Sequence, residues 1–250
     1  MPTVYFRFYA ELNDFLPREL RMAAFPYSFR GKQNVKHLIE AVGVPHTEID
    51  LIMINGSSVE FCHIPKDGDR ISVYPVFEAL DISSISRVRP QPLRQMRFVL
   101  DSHLGRLAVY LRMLGFDTLY RNDYHDEELV RISLAERRVL LTSDRSLLMR
   151  GAVTHGYFVR QKNWREQLID VLRRFDLCDI VSPLTRCLVC NELLETVAKQ
   201  AVMDRVPARS RRSCNEFWQC SGCGQLYWNG SHHGHMLQFV EKVLKASKNA

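Results

Sequence analysis

The stretch FVLDSHLGRLAVYLRMLGFDTLY, residues 98–120, decides the fold. Phe98-Val99-Leu100 is a short apolar run ending at Asp101, with the length and composition of a buried strand. Leu104, Leu107, Ala108, Leu111 and Leu114 then recur at the spacing of one helical face, and Gly115 closes that helix. Thr118-Leu119-Tyr120 follows as a second strand. A strand, a helix and a strand in such quick succession predict parallel pairing, with the helix packed across the sheet.

The alternation continues downstream. Asp126-Glu127-Glu128 opens a second helix with acids in its first turn, where they complement the helix dipole. Val139-Leu140-Leu141 reads as a third strand ending in Thr142-Ser143-Asp144, and a short helix follows. Tyr157-Phe158-Val159 reads as a fourth strand. Trp164, Leu168, Val171, Leu172 and Phe175 mark an amphipathic last helix. Residues 96–178 are therefore expected to form a parallel-sheet α/β domain. In such a sheet Asp101 and Asp144 lie at the carboxyl edge, and Asp126 can reach it from the start of its helix. Three carboxylates sharing a crevice repel one another unless a cation sits among them. The matching ion is a hard divalent one with oxygen ligands, Mg²⁺ or Mn²⁺. Singly, Asp101 and Asp144 also read as the caps of their own helices, and Asp126 as a complement to its helix dipole.

Upstream, residues 1–80 carry a different pattern. Val4, Phe6 and Phe8 alternate with Tyr5, Arg7 and Tyr9, as in a half-buried strand, and Phe25 to Arg30 reads as a second. Asn34 can cap a helix whose Val35, Leu38, Ile39 and Val42 share a face. Leu51 to Ile54 and Arg70 to Phe77 read as further strands, with Asn55-Gly56 as a turn between strands. The β-β-α-β-β order resembles the ubiquitin-like β-grasp fold, and DGDRISVYPVF is similar to the end of small sulfur carriers. Such carriers stop in a free Gly-Gly. Here the chain runs on through Glu78-Ala79-Leu80, so the resemblance implies a docking or stabilising domain, with a protein partner. Residues 81–95, with Ser83, Ser84, Ser86, Pro90 and Pro92, have the composition of a linker.

Residues 179–236 contain C-x2-C-x29-C-x2-C, formed by Cys187, Cys190, Cys220 and Cys223. Two matched pairs suit a tetrahedral Zn²⁺, and four thiolates leave no position open for water, so the ion is structural. Cys178 and Cys214 lie outside the pairs. Between the pairs stand Arg209, Arg211 and Arg212, and Trp218 follows. Basic groups beside aromatics suit single-stranded RNA, through phosphate contacts and base stacking. Such residues also occur as a solvated loop and a packed ribbon. Residues 237–250 read as a terminal helix and tail, the apolar residues of the helix running from Met236 to Val243.

Charge is uneven. Residues 1–80 carry a net −2 and the remainder +8, so attraction for a polyanion is confined to the later segments. The first residues lack the apolar run of a secretion signal, and no stretch approaches the roughly 18 apolar residues of a membrane span. A cytoplasmic protein with reduced cysteines is expected, which favours metal over disulfides.

Residues 98–120, the stretch DEELVRISLAERRVLLTSDRSLL (126–148) and the later cysteine pairs together resemble the Mut-seven C-terminal RNase family. The resemblance spans about residues 96 to 236. It implies a PIN-like nuclease domain with an appended zinc ribbon, fused to a β-grasp domain. It further implies metal-dependent cleavage of RNA, with Asp101, Asp126 and Asp144 as metal-binding acids. Two departures stand out. Ser143 occupies the place of an arginine in the family's T-R-D element, which leaves Arg145 as the nearby substitute. After the fourth strand stands Arg160, where PIN nucleases often carry a fourth acid. A rival expectation follows from these departures: an RNA-binding adaptor that keeps the fold without cutting.

Overall fold

In the computed structural model the structure describes residues 1–77, 82, 84–88, 93 and 95–248. The run-on at Glu78-Ala79-Leu80 and the linker positions Ser83, Pro90 and Pro92 lie outside the described residues.

In chain order, the first segment holds β1 (Thr3–Phe8), β2 (Phe25–Ser28), α1 (Val35–Ala41), β3 (Ile49–Ile54), β4 (Ser57–Ser58) and β5 (Arg70–Pro75). The next holds β6 (Arg97–Leu100), α2 (Gly105–Met113), β7 (Asp117–Tyr120), α3 (Asp126–Ala135), β8 (Val139–Thr142), α4 (Arg145–Leu148), β9 (Gly156–Phe158) and α5 (Trp164–Arg174). The last holds β10 (Leu194–Thr196), α6 (Lys199–Val202), α7 (Ala208–Ser213), β11 (Phe217–Cys220), β12 (Leu226–Trp228) and α8 (Ser231–Lys248). No helix among the described residues is long and apolar enough to cross a membrane.

The chain divides into two compact units, and each is assembled from separate stretches. One comprises Met1–Arg94 with Val130–Phe158; the other comprises Gln95–Leu129 with Val159–Ala250.

The first unit contains the β-grasp sheet, in the order β2-β1-β5-β3-β4. β1 and β5 run parallel, while the β1–β2, β3–β5 and β3–β4 pairs are antiparallel. The alternation of β1 puts Val4, Phe6 and Phe8 in the core with Leu38 and Ile39 of α1. Asn34 caps α1, its side chain accepting the His37 N–H at 2.9 Å. β3 and β4 turn at Asn55-Gly56, both at positive φ. The unit also holds the parallel pair β8–β9. Phe158 of β9 packs against the β-grasp core, and its N–H donates to Glu48 Oε1 at 2.6 Å. His46 Nε2 lies 2.8 Å from the Val153 carbonyl oxygen. Part of the linker-like stretch is tied down as well: Val88 joins this core, and the Ser86 hydroxyl donates to the Asp50 carbonyl.

The second unit contains the parallel pair β6–β7, with Phe98 opposite Thr118 and Leu100 opposite Tyr120. The predicted helix after Asp101 begins as a 3-10 turn, Ser102–Leu104, before α2 proper. Leu104, Leu107, Ala108, Leu111 and Leu114 are all buried, as their spacing requires. α8 packs on α5, and Phe239 meets Tyr110 and Trp164, whose rings stack 4.0 Å apart. α8 begins at Ser231, earlier than the Met236 start suggested by its apolar residues. The antiparallel ribbon β10-β11-β12 belongs to the same unit.

Candidate functional site

Asp101 follows β6 directly and is 8% exposed. Its Oδ1 accepts the Ser102 hydroxyl at 3.0 Å and the His103 N–H at 3.3 Å, and His103 Nδ1 lies 3.2 Å away. The carboxylate therefore both caps the turn and is fixed by it. Tyr120 closes over this turn, its hydroxyl donating to the Ser102 carbonyl at 2.9 Å. Gly105 makes the approach feasible, because a Cβ there would lie 2.6 Å from the Tyr120 hydroxyl oxygen. Gly105, four residues after Asp101, thus serves the backbone behind it.

Asp126 is the first residue of α3 and half-buried, with Glu127 and Glu128 in the same turn. Asp144 is exposed and caps α4, accepting the Ser146 N–H and hydroxyl, each at 2.8 Å. Its own N–H donates to the Thr142 hydroxyl at 2.9 Å, which locks the exit from β8. The capping roles expected of Asp101 and Asp144 are both present. Arg145, the candidate phosphate contact, is engaged within its unit: its guanidinium lies over the rings of Phe15 and Phe158 and donates to the Phe15 carbonyl at 3.2 Å.

The cysteines form the best-defined centre. One sulfur from each of Cys187, Cys190, Cys220 and Cys223 lies within 4.8 Å of every other. Cys187 and Cys223 sulfurs are 3.6 Å apart, and those of Cys190 and Cys220 are 3.2 Å apart. Tetrahedral thiolates at the Zn–S distance sit about 3.8 Å apart, so the group could hold a metal such as zinc. The Cys223 N–H points at Cys220 Sγ, 3.4 Å away. Burial by itself raises the Cys187 thiol, but the Tyr227 hydroxyl and the Val189 and Cys190 N–H groups outweigh it and bring the pKa to about 7. Burial and crowding by the other thiols push Cys190 up to about 12. Cys214 is apart from this group and packs with Val202, Val206, Phe217 and Leu226 in the ribbon's apolar cluster.

The knuckle Cys187–Cys190 is bound to the corner between α2 and β7. Asn191, at positive φ, accepts the Thr118 N–H at 2.8 Å and donates to Asp117 Oδ1 at 2.8 Å. Arg186 donates to the Gly115 carbonyl at 3.2 Å and to that of Asn191 at 2.9 Å. Arg112 donates to the carbonyls of Thr118, Leu188 and Val189 at 2.9, 3.1 and 2.8 Å. None of these three was singled out from the sequence. The available signal was a charged residue, Arg112, enclosed between Leu111 and Met113 on a buried helix.

Of the expected RNA contacts, Arg209 and Arg212 are exposed on α7, and Arg211 donates to the Val206 carbonyl at 2.7 Å. Trp218 is half-buried and stacks on His233, with centroids 5.5 Å apart. Trp218, Tyr227, Trp228, His233 and Leu237 border a cavity of about 360 Å³. Phe217 is fully enclosed, and the Tyr227 hydroxyl is taken up at Cys187, 3.3 Å from the sulfur. Those two aromatics therefore serve the ribbon itself.

A family model described as the Mut7-C RNAse domain matches residues 96–240, more than half of the chain. The chain belongs to the Mut7-C RNAse domain family. A second model, described as Mut7-C ubiquitin, matches residues 1–81, in keeping with the β-grasp sheet. Comparison with curated proteins and with solved structures gave no match. The Mut7-C match thus contains the three aspartates, the four cysteines and the α2–β7 corner in one continuous region.

Proposed function

We propose that this Mut7-C protein is a metal-dependent ribonuclease. The observation that carries the reading is the RNAse-domain match over a segment in which Asp101 and Asp144 each leave a parallel strand and Asp126 opens a helix. Their carboxylate oxygens are the donor type that a hard divalent cation takes, so Asp101, Asp126 and Asp144 are the residues to hold Mg²⁺ or Mn²⁺. Such an ion, when bound, supplies an activated water and neutralises charge developing on the phosphodiester. The chain's own part is to hold the carboxylates in place. Ser102 and His103 fix Asp101 Oδ1, Ser146 fixes Asp144 Oδ1, and Tyr120 braces the backbone at Ser102. Arg209, Arg212 and Trp218 are read as contacts for the RNA strand.

The four cysteines are read as a structural zinc site, and their use as metal ligands rather than disulfides supports a cytoplasmic location. The β-grasp domain is read as a stabilising module that also offers a surface to a protein partner.

Labelled single-stranded RNA, incubated with the protein in Mn²⁺, tests the proposal. Cleavage is expected, and Asp101→Asn and Asp144→Asn each reduce it at least 100-fold while RNA binding persists. Cleavage unaffected by both substitutions removes the carboxylate site. The second reading, an RNA-binding adaptor, is favoured by one observation: Arg145 is committed to Phe15 and Phe158. RNA binding without cutting by the parent protein in either Mg²⁺ or Mn²⁺ selects that reading.

A further inference from the structure

Arg112 occupies the last turn of α2 and is only 4% exposed. Its three hydrogen bonds all go to neutral carbonyl oxygens, and it makes no ion pair among the described residues. Other arginines of the same unit are balanced differently. Arg186 lies 3.6 Å from Asp117 Oδ2, and Arg121 pairs with Asp123 at 2.6 Å in solvent. A buried guanidinium hydrogen-bonded only to carbonyl oxygens is unfavourable unless a negative charge stands close by. The two carbonyls reached by Nη1 belong to Leu188 and Val189, the residues between Cys187 and Cys190. Burial lowers the Arg112 pKa, and the groups that oppose this are, largest first, Cys187 and Cys190, followed by Tyr124 and Asp117. Four thiolates around one divalent ion leave a net charge of −2 on the centre.

We propose that Arg112 is the counter-charge of the metal–tetrathiolate centre and the positioning residue that links its loading to α2, the helix reached from Asp101 through the turn Ser102–Leu104. The inference rests on the reading that the four cysteines hold a divalent metal. Its physical content is a two-sided contact. One edge of the guanidinium holds β7 at Thr118, and the other holds the knuckle whose thiolates take the ion. Metal loading stabilises the cation, and the cation fixes the corner of β7 and α2. Outer groups of this kind commonly change metal affinity 10- to 100-fold. A second arginine provides an internal comparison: Arg205 donates to the Gly224 carbonyl beside the other knuckle at 2.6 Å, but it is exposed and screened by water.

The test uses the full chain and Zn²⁺. Metal content is measured first by elemental analysis, and affinity by competition with a chromogenic chelator, for Arg112→Gln, Arg112→Lys and Arg205→Gln. Glutamine keeps donors without charge; lysine keeps charge without the fork. Expected are a loss of 10-fold or more for Arg112→Gln, a loss within 3-fold for Arg112→Lys, and a change within 2-fold for Arg205→Gln. Equal affinities for Arg112→Gln and Arg112→Lys overturn the counter-charge.

Hydrogen exchange on the unmutated protein needs no substitution to fold. Stripping Zn²⁺ is expected to raise exchange in Gly105–Met113 and Asp117–Tyr120 while β1 and β5 stay protected. Unchanged exchange in α2, or loss of protection throughout the chain, overturns the link. A parent protein that binds no Zn²⁺ removes the metal reading itself, and this proposal with it, whatever the nuclease assay shows.

Discussion

Small groups behind the conspicuous side chains fix the geometry around Asp101. Tyr120 and Gly105 stand behind the carboxylate, and the turn holding Asp101 depends on their contact. Gly105→Ala puts a methyl group against the Tyr120 ring, and thermal unfolding is expected to show a loss of about 1–3 kcal/mol. Tyr120→Phe removes only the bond to the Ser102 carbonyl, with an expected loss of about 1 kcal/mol. Proton competition governs the cysteine centre. Cys190, pushed up to about 12, must give up its proton to act as a ligand. Metal affinity should therefore rise with pH, by up to about tenfold per unit for each proton displaced. Chelator competition between pH 6 and 8 reads this slope, and a flat profile counts against thiolate ligation. Cys190→Ser should abolish stoichiometric zinc in elemental analysis, whereas Cys214→Ser should retain it, since Cys214 packs in the apolar cluster.

Where an element is made by local chemistry, it was legible in the sequence. Asn34 capping α1, the Asn55-Gly56 turn and the five apolar residues around α2 each carry their own signal, and each forms as expected. The cysteine spacing was equally legible, because knuckle geometry is set within a few residues. What joins these elements was not. Asn191 and Arg186 act across more than 70 positions of sequence, and no periodicity marks them. α8 begins at Ser231, five residues before its apolar stripe becomes readable, because Gly234 and three histidines dilute the pattern. Gly115 carries both kinds of information: it ends α2 with φ +94, and a Cβ there would lie 2.1 Å from the Ser182 carbonyl oxygen. Gly115→Ala is therefore expected to destabilise the second unit by more than the roughly 1 kcal/mol of a simple helix-end substitution, as calorimetry can measure.

For the molecule as a whole, composition suggested modules strung along the chain, but compactness follows a different partition. The β-grasp core takes in Phe158, and residues 130–158 group with the first 94 positions. A protein beginning at residue 96 would expose the face of Phe158 and leave Val153 and Phe158 without His46 and Glu48. Such a truncation is expected to be insoluble or to melt at least 10 °C below the full chain, as scanning fluorimetry would show. An unchanged melting profile would mean that the N-terminal domain is dispensable for folding.

The interrupted make-up of the first unit also sets a schedule during synthesis. Its N-terminal strands emerge early, but the last contributor to their core, Phe158, is translated only after the 63 intervening positions 95–157. At ordinary ribosomal speeds of ~5–20 residues per second, that is a wait of roughly 3–13 s. During that interval an apolar surface on the nascent chain lacks its natural cover, which makes it a target for chaperones that ride on the ribosome.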